Sequence, residues 1–313
     1  MVDLHHIEQA RRRIAGHVRR TPLIPAAPLS RPLPGGGGLT LKLESLQVTG
    51  SFKARGATHK ALSLSPAEAG RGLVTASGGN HGLGVAYAGR LTGAPVTIYL
   101  PANAPAAKAE RLERWGARVV RVGTVWDEAD AEARRAAERE GLIYIHAFAD
   151  PAVIAGQGTV GLEILEDAPD TDLLLVAIGG GGLISGVGTA VKALRPSIRL
   201  VGVEPVGAPT LFESLRAGAV IELERITTEA NTLAPRRSAE INLAIIRDTV
   251  DDIVLVTDDE MREAARWLWF EMGIASELSG AAAVAALLTG RGGAGAARAC
   301  ALVCGAGTDG LVP

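Results

Sequence analysis

Residues 172–194 read DLLLVAIGGGGLISGVGTAVKAL, and this stretch decides the fold class. An apolar strand-like run ends in four consecutive glycines, Gly179, Gly180, Gly181 and Gly182, and a helical pattern starting near Leu183 follows. Glycines let the backbone turn sharply and bring several N–H groups toward one point. A helix start adds partial positive charge there. Such a turn suits a phosphate dianion; a close-packed turn without a ligand is the plainer alternative. No lysine follows at P-loop spacing, which disfavours a nucleoside triphosphatase.

The same rhythm recurs outward along the chain. GLVTA at 72–76, APVTIYLP at 94–101, ARVVRVG at 117–123 and LIYIH at 142–146 each precede a helical pattern. IRLVGVEP, DDIVLV and ACALVCGAG supply further apolar runs toward residue 307. Strands alternating with helices imply parallel sheets covered on both faces, an α/β protein. Eight or so such runs could form one barrel or two doubly wound sheets. RPLPGGGG at 31–38 reads as a flexible surface turn. The chain stops directly after its final apolar run, so no added regulatory domain is expected.

The 313 residues are 47% hydrophobic with a formal net charge of −2, enough apolar material for a sizeable core. No basic block or Cys/His metal spacing is present, so a nucleic-acid binder is not expected. No apolar run is long enough to span a bilayer. The opening residues lack a signal-peptide core, and Ile7, Ile14 and Val18 mark a basic amphipathic helix. Cys300 and Cys304 are the only cysteines and share one apparent strand, so no mutual disulfide is expected. A reducing, cytoplasmic setting fits. GAGTDG at 305–310 matches the dinucleotide fingerprint formally, but no helix can follow it, and the match is read as accidental.

Other segments carry candidate chemistry. TASGGNHGLG at 75–84 clusters Ser77, Gly78, Asn80 and His81 at a strand-to-helix junction. It can offer N–H groups and a hydroxyl to a carboxylate; a helix cap at Ser77 with a solvated His81 is the alternative. Cys304 ends a strand, where open parallel sheets place ligands, or is simply a small buried residue. Lys53, one of only five lysines, lies in VTGSFKARGA at 48–57. Partial desolvation there would free a nucleophilic amine; the alternative is a surface lysine beside a turn.

Taken in order, Gly-Ser-Phe-Lys-x-Arg-Gly-Ala at 50–57, Ser-Gly-Gly-Asn-His-Gly at 77–82, Gly-Gly-Gly-Gly-Leu at 179–183 and Cys-Gly-Ala-Gly at 304–307 resemble the pyridoxal-phosphate enzymes of fold type II. The resemblance is to the threonine/serine dehydratase and serine racemase group and spans nearly the whole chain. HAFADPAVIAGQGTVGLEIL at 146–165 and SELSGAAAVAAL at 276–287 are similar to the same group. It implies two doubly wound domains of the tryptophan-synthase-β-like kind, a large one from 1–71 and 149–313 and a small one inserted at 72–148. It implies pyridoxal 5'-phosphate, with Lys53 as the Schiff-base lysine and catalytic base, and Phe52 against the ring. Asn80 would meet the phenolic oxygen, Gly179 to Gly182 and Leu183 the phosphate, and Cys304 the pyridine nitrogen. Glu277 would lie near the ring, with Leu278 replacing a usual proline. Ser77, Gly78, Asn80 and His81 would take the substrate carboxylate.

The activity implied is loss of the β-hydroxyl from an amino acid such as threonine or serine, giving a 2-oxo acid and ammonia. Gly78 stands where racemases carry a serine acid, and Ala54 where cysteine and threonine synthases carry aspartate. Both favour elimination over racemisation or β-replacement. Asn231 and Thr232 replace an Asp-Gly pair, and Arg236 and Arg237 are additions that face solvent or read a second carboxylate. Phenylserine and 3-hydroxyaspartate therefore stand as alternative substrates. Glu204 matches the first ligand of a divalent-cation site, but Thr210 stands where a second carboxylate belongs. A cytoplasmic homodimer without nucleic-acid or membrane partners completes the expectation.

Overall fold

The computed structural model describes residues 1–30, 33–34, 37–293 and 296–311. Residues 31–32 and 35–36 of the expected surface turn lie outside the described residues. The strands are β1 (Leu23–Pro25), β2 (Gly38–Leu43), β3 (Leu73–Ala76), β4 (Val96–Leu100), β5 (Arg118–Arg121), β6 (Ile143–Tyr144), β7 (Leu173–Ala177), β8 (Arg199–Pro205), β9 (Asp252–Val256) and β10 (Arg298–Val303). Among the described residues they form two open sheets and no barrel, ordered β1-β2-β10-β7-β8-β9 and β5-β4-β3-β6. Of these strands only β1 pairs antiparallel; every other pairing is parallel. β3, β4 and β7 are buried along their whole length. That is why they read as unbroken apolar runs rather than alternating ones. β5, with arginine at both ends, serves as an edge strand.

The helices are α1 (Leu4–Ile14), α2 (Lys53–Ser63), α3 (Pro66–Arg71), α4 (Asn80–Thr92), α5 (Ala106–Arg114), α6 (Trp126–Glu140), α7 (Pro151–Asp167), α8 (Gly182–Leu194), α9 (Thr210–Ala217), α10 (Glu240–Thr249), α11 (Asp258–Met272) and α12 (Leu278–Leu288). In α1, Ile7 and Ile14 are buried as their spacing predicts, while Val18 lies beyond the helix and is half-buried. The larger core gathers residues of β7, β8, β10, α8 and α12 around the six-stranded sheet. A second core lies against the four-stranded sheet, and Ala57, Ala61 and Val153 of α2 and α7 pack into it. A Cβ placed on Gly156 would lie 2.6 Å from the Cα of Gly56, so α2 and α7 meet backbone to backbone. α2 thus packs its apolar residues into the second core and its backbone against α7, with Lys53 as its first residue.

No helix among the described residues is long and apolar enough to cross a membrane. Cys300 and Cys304 are both free and buried. Gly305–Gly310 leads into a turn, with no helix after it among the described residues.

Candidate active site

The carboxyl ends of β3, β7 and β10 converge on one cleft between the sheets. It is lined by Phe52, Lys53, Asn80, Gly179 to Gly182, Leu183, Glu277 and Cys304, together with Phe148, Ala177, Thr232 and Leu233. Four segments far apart in sequence therefore share one site. Ser77, Gly78, His81 and Glu204 are not among its lining residues.

Two helices begin here without a side-chain cap. α8 starts after Gly181, whose φ of 91° lies in the left-handed region that favours glycine. The Gly180 carbonyl accepts from Asn242 Nδ2 at 2.6 Å and from Ser238 Oγ at 2.9 Å. With that carbonyl tied down on the α10 side, the loop's N–H groups stay free for an anion. A Cβ on Gly180 would lie 2.2 Å from the Phe148 ring, and one on Gly179 would lie 2.8 Å from the Thr232 carbonyl oxygen. The cradle is therefore closed to any side chain. α4 starts after Gly79, again uncapped. Ser77 does not cap α4; its hydroxyl accepts from the Gly79 N–H at 3.3 Å. Two uncapped helix starts on one cleft can neutralise two anionic groups.

Lys53 Nζ donates to the Ala147 carbonyl at 2.7 Å and lies 5.2 Å from the Phe52 ring centroid. Desolvation lowers its pKa to about 8, against the opposing pull of Cys304 and Glu277. The loop before it is pinned to the end of β10. Phe52 N–H donates to the Cys304 carbonyl at 3.3 Å, Ser51 bridges Gly305, and Ala306 N–H donates to the Gly50 carbonyl at 2.8 Å. Burial pushes the Cys304 thiol well up, so it stays neutral, with Sγ 3.5 Å from the Ser279 carbonyl. Glu277 precedes α12, and its Oε1 accepts from Asn80 Nδ2 at 2.8 Å and Thr232 Oγ1 at 3.2 Å. Desolvation, then Asp309, raises its carboxyl to about 7.

Other expected residues sit differently. The His81 ring is buried, with Nε2 2.9 Å from the Ile145 carbonyl, and desolvation lowers its pKa to about 3. The ring is turned out of the cleft and neutral, which leaves its backbone N–H at the start of α4. A Cβ on Gly78 would meet Leu100 at 3.1 Å and Lys108 at 3.3 Å. Glu204 is buried in β8, its carboxylate accepting from the N–H groups of Leu211 and Phe212 at 2.9 and 2.8 Å. Desolvation raises it to about 8. Among the described residues, no group of three or more His, Cys, Asp or Glu is placed to hold a metal ion. Arg236 pairs with Glu222 at 3.1 Å and donates to the Leu223 carbonyl, and both Arg236 and Arg237 are exposed.

Sequence reading gives Phe148 and Arg55 no role, although both lie in segments that carry the family resemblance. Phe148 packs on the glycine turn. Arg55, two residues past Lys53, is buried between Glu44 at 2.7 Å and Glu163 at 2.7 Å, and Lys42 joins Glu163 at 2.6 Å. The signal available for it is the run of small neighbours, Ala54, Gly56 and Ala57, which brings the helix too close to its surroundings for Arg55 to reach solvent.

A glycine turn at an uncapped helix start and a desolvated lysine at the mouth of parallel strands suit a phosphate-bearing cofactor. Residues 14–305 match the pyridoxal-phosphate dependent enzyme family, and the chain belongs to it. Among its relatives is an L-threonine ammonia-lyase of Thermotoga maritima, 41% identical over 92% of this chain and 71% of that protein. A serine racemase of Oryza sativa is 39% identical over 92% of this chain and 84% of that protein. In solved structures the chain is similar to the processed form of threonine deaminase isoform 2 from Solanum lycopersicum, at TM-score 0.90 and 34% identity, covering 97% of this chain and 85% of that one. The maize serine racemase gives TM-score 0.90 and 34% identity over 98% and 95% of the two chains.

The family implies pyridoxal phosphate, and the residues present fit it. The glycine cradle and free N–H groups of α8 suit its phosphate, and the depressed Lys53 amine suits its aldehyde.

Proposed function

We propose that this chain is a pyridoxal-phosphate-dependent ammonia-lyase that removes water from a β-hydroxy-α-amino acid, L-threonine or L-serine first, and yields a 2-oxo acid and ammonia. The observation that carries this is the distribution of proton-transfer groups lining the cleft: among the described residues Lys53 is the one amine, Cys304 is a neutral thiol, and the Glu277 carboxyl is held by Asn80 and Thr232. Bound pyridoxal phosphate supplies the electron sink that makes a Cα proton removable. Lys53 would hold the cofactor through its aldehyde and, once the substrate's amine has displaced it, would as a free neutral amine take the Cα proton from its own side of the substrate. The α8 start holds the phosphate, and the α4 start, with the N–H groups at Asn80 and His81, receives the substrate carboxylate. Phe52 and Asn80 orient the ring. Cys304, an uncharged thiol lining the cleft, would not keep a ring nitrogen held against it protonated as a carboxylate would, which favours prompt loss of the β-hydroxyl.

Racemisation is the second reading, favoured by the serine racemase relatives. Gly78 opposes it, since it offers no acid to the opposite face. The Arg236–Glu222 pair weakens the case for 3-hydroxyaspartate, because that guanidinium already has its carboxylate. Glu204 carries no cation in this proposal, its oxygens being taken by α9 N–H groups. The proposal includes a large unit from 1–71 and 149–313 with a small unit at 72–148, and a cytoplasmic homodimer. Phe270, 81% exposed beside Trp269 on α11, supports a subunit contact.

The test is 2-oxo-acid release from L-threonine, L-serine, phenylserine and 3-hydroxyaspartate. Release from the first two is expected, and Lys53→Ala should abolish both release and the visible cofactor band. Rapid Cα exchange with inversion of L-serine, without 2-oxo acid, would sink the lyase reading.

A further inference from the structure

Glu277, Asn80 and Thr232 come from three separate segments and meet at one carboxylate oxygen. The two donors reach it from opposite walls of the cleft. Asn80 opens α4, beside the four-stranded sheet, and Thr232 lies in the turn Asn231–Leu233, whose backbone packs on Gly179. The last strand's exit leaves room for this meeting, since a Cβ on Gly305 would lie 2.3 Å from Glu277 Oε1 and 3.1 Å from Asn80 Nδ2. The Thr232 methyl group would be 4.0 Å from a Cβ on Gly79, while its backbone carbonyl lies against Gly179, so this residue touches both glycine turns. The charged and titratable groups facing the carboxylate are Lys53 of α2, Arg111 of α5, Cys304 after β10 and Asp309 beyond it.

A carboxylate only accepts hydrogen bonds, so it obliges Asn80 to turn its NH2 group toward Glu277. A protonated Glu277 can donate, and the Asn80 amide is then free to flip. Desolvation and Asp309 favour the protonated form, while the bonds from Thr232 and Asn80 oppose it.

We propose that Thr232 is a positioning residue: its hydroxyl holds Glu277 as an acceptor and so fixes the face of the Asn80 amide presented to the cofactor ring. This rests on the reading above in taking Asn80 to face that ring. The Thr232–Glu277 bond itself is independent of it.

The experiment is pH-difference infrared spectroscopy of the full chain, following the protonated-carboxyl signal that Glu277→Gln removes. Thr232→Val keeps the shape and drops the hydroxyl. It should raise the Glu277 midpoint by roughly one pH unit, a tenfold gain in proton affinity. Thr232→Ser should restore it, and the visible band of bound pyridoxal phosphate should move with the same midpoint. Thr232 is exposed, so the variants should fold with unchanged thermal midpoints. A midpoint unmoved in Thr232→Val, one not restored by Thr232→Ser, or a cofactor band indifferent to it overturns the proposal. A wild-type chain with the carboxyl shift but no cofactor band overturns the cofactor reading and leaves the Thr232–Glu277 bond standing.

Discussion

A lysine amine attacks an aldehyde only when neutral, and at pH 7 an ordinary lysine almost never is. Lys53 is set apart by desolvation, which brings it to about 8. The neutral fraction therefore rises with pH, roughly tenfold between pH 7 and pH 9. The rate at which cofactor-free protein captures pyridoxal phosphate should climb by about that factor, followed by stopped-flow absorbance. A flat profile would mean that the amine is already neutral at pH 7. The motif around Lys53 was legible in the sequence, but only together with the other three segments. The protonation of Cys304 was not legible, because it depends on atoms contributed by α12 and Lys53 across the fold.

At the scale of elements, glycines made the site readable. They mark where β7 hands over to α8 and β3 to α4, and both junctions point into the cleft. The β1–β2 pair went unread. Its residues are broken up by Pro22, Pro25 and Pro28, and Lys42 mimics an outward position while being fully buried. Phe148 was silent for a related reason, since its role exists only where Gly180 leaves space for its ring. Gly180→Ala should force that ring aside, at a cost of about 1–3 kcal/mol, with weaker pyridoxal-phosphate binding. Adding Phe148→Leu should recover part of the loss in both calorimetry and a fluorescence titration. Simple additivity of the two changes would show that they do not meet.

At the scale of the molecule, the six-stranded sheet is tied to α2 and α7 by a buried knot of charge. Arg55 of α2, Glu44 after β2, Glu163 of α7 and Lys42 of β2 balance two positive against two negative charges. Arg55 holds Glu44 below the ordinary carboxylate range in spite of complete burial. Such a cluster is weak support for stability but a strong constraint on geometry, since removing one partner strands the others. Arg55→Ala should cost about 3–5 kcal/mol in denaturant unfolding. Arg55→Lys should rescue little, as an ammonium cannot bridge two carboxylates bidentately. An Arg55→Ala protein as stable as the parent would mean that water replaces the guanidinium. The two-sheet architecture was legible through the family resemblance, whereas strand count alone left a barrel open.

β10 lies in the interior of the six-stranded sheet, between β2 and β7, although its residues are numbered near 300 and those of β2 near 40. Contacts that close such long loops are slow to form. During synthesis, Lys53 and the glycine turn emerge from the ribosome long before the strand that carries Cys304 and pins the Gly50–Ser51 loop. The reactive amine thus spends translation without its desolvating neighbours, and it becomes a good nucleophile only when the sheet has closed over it.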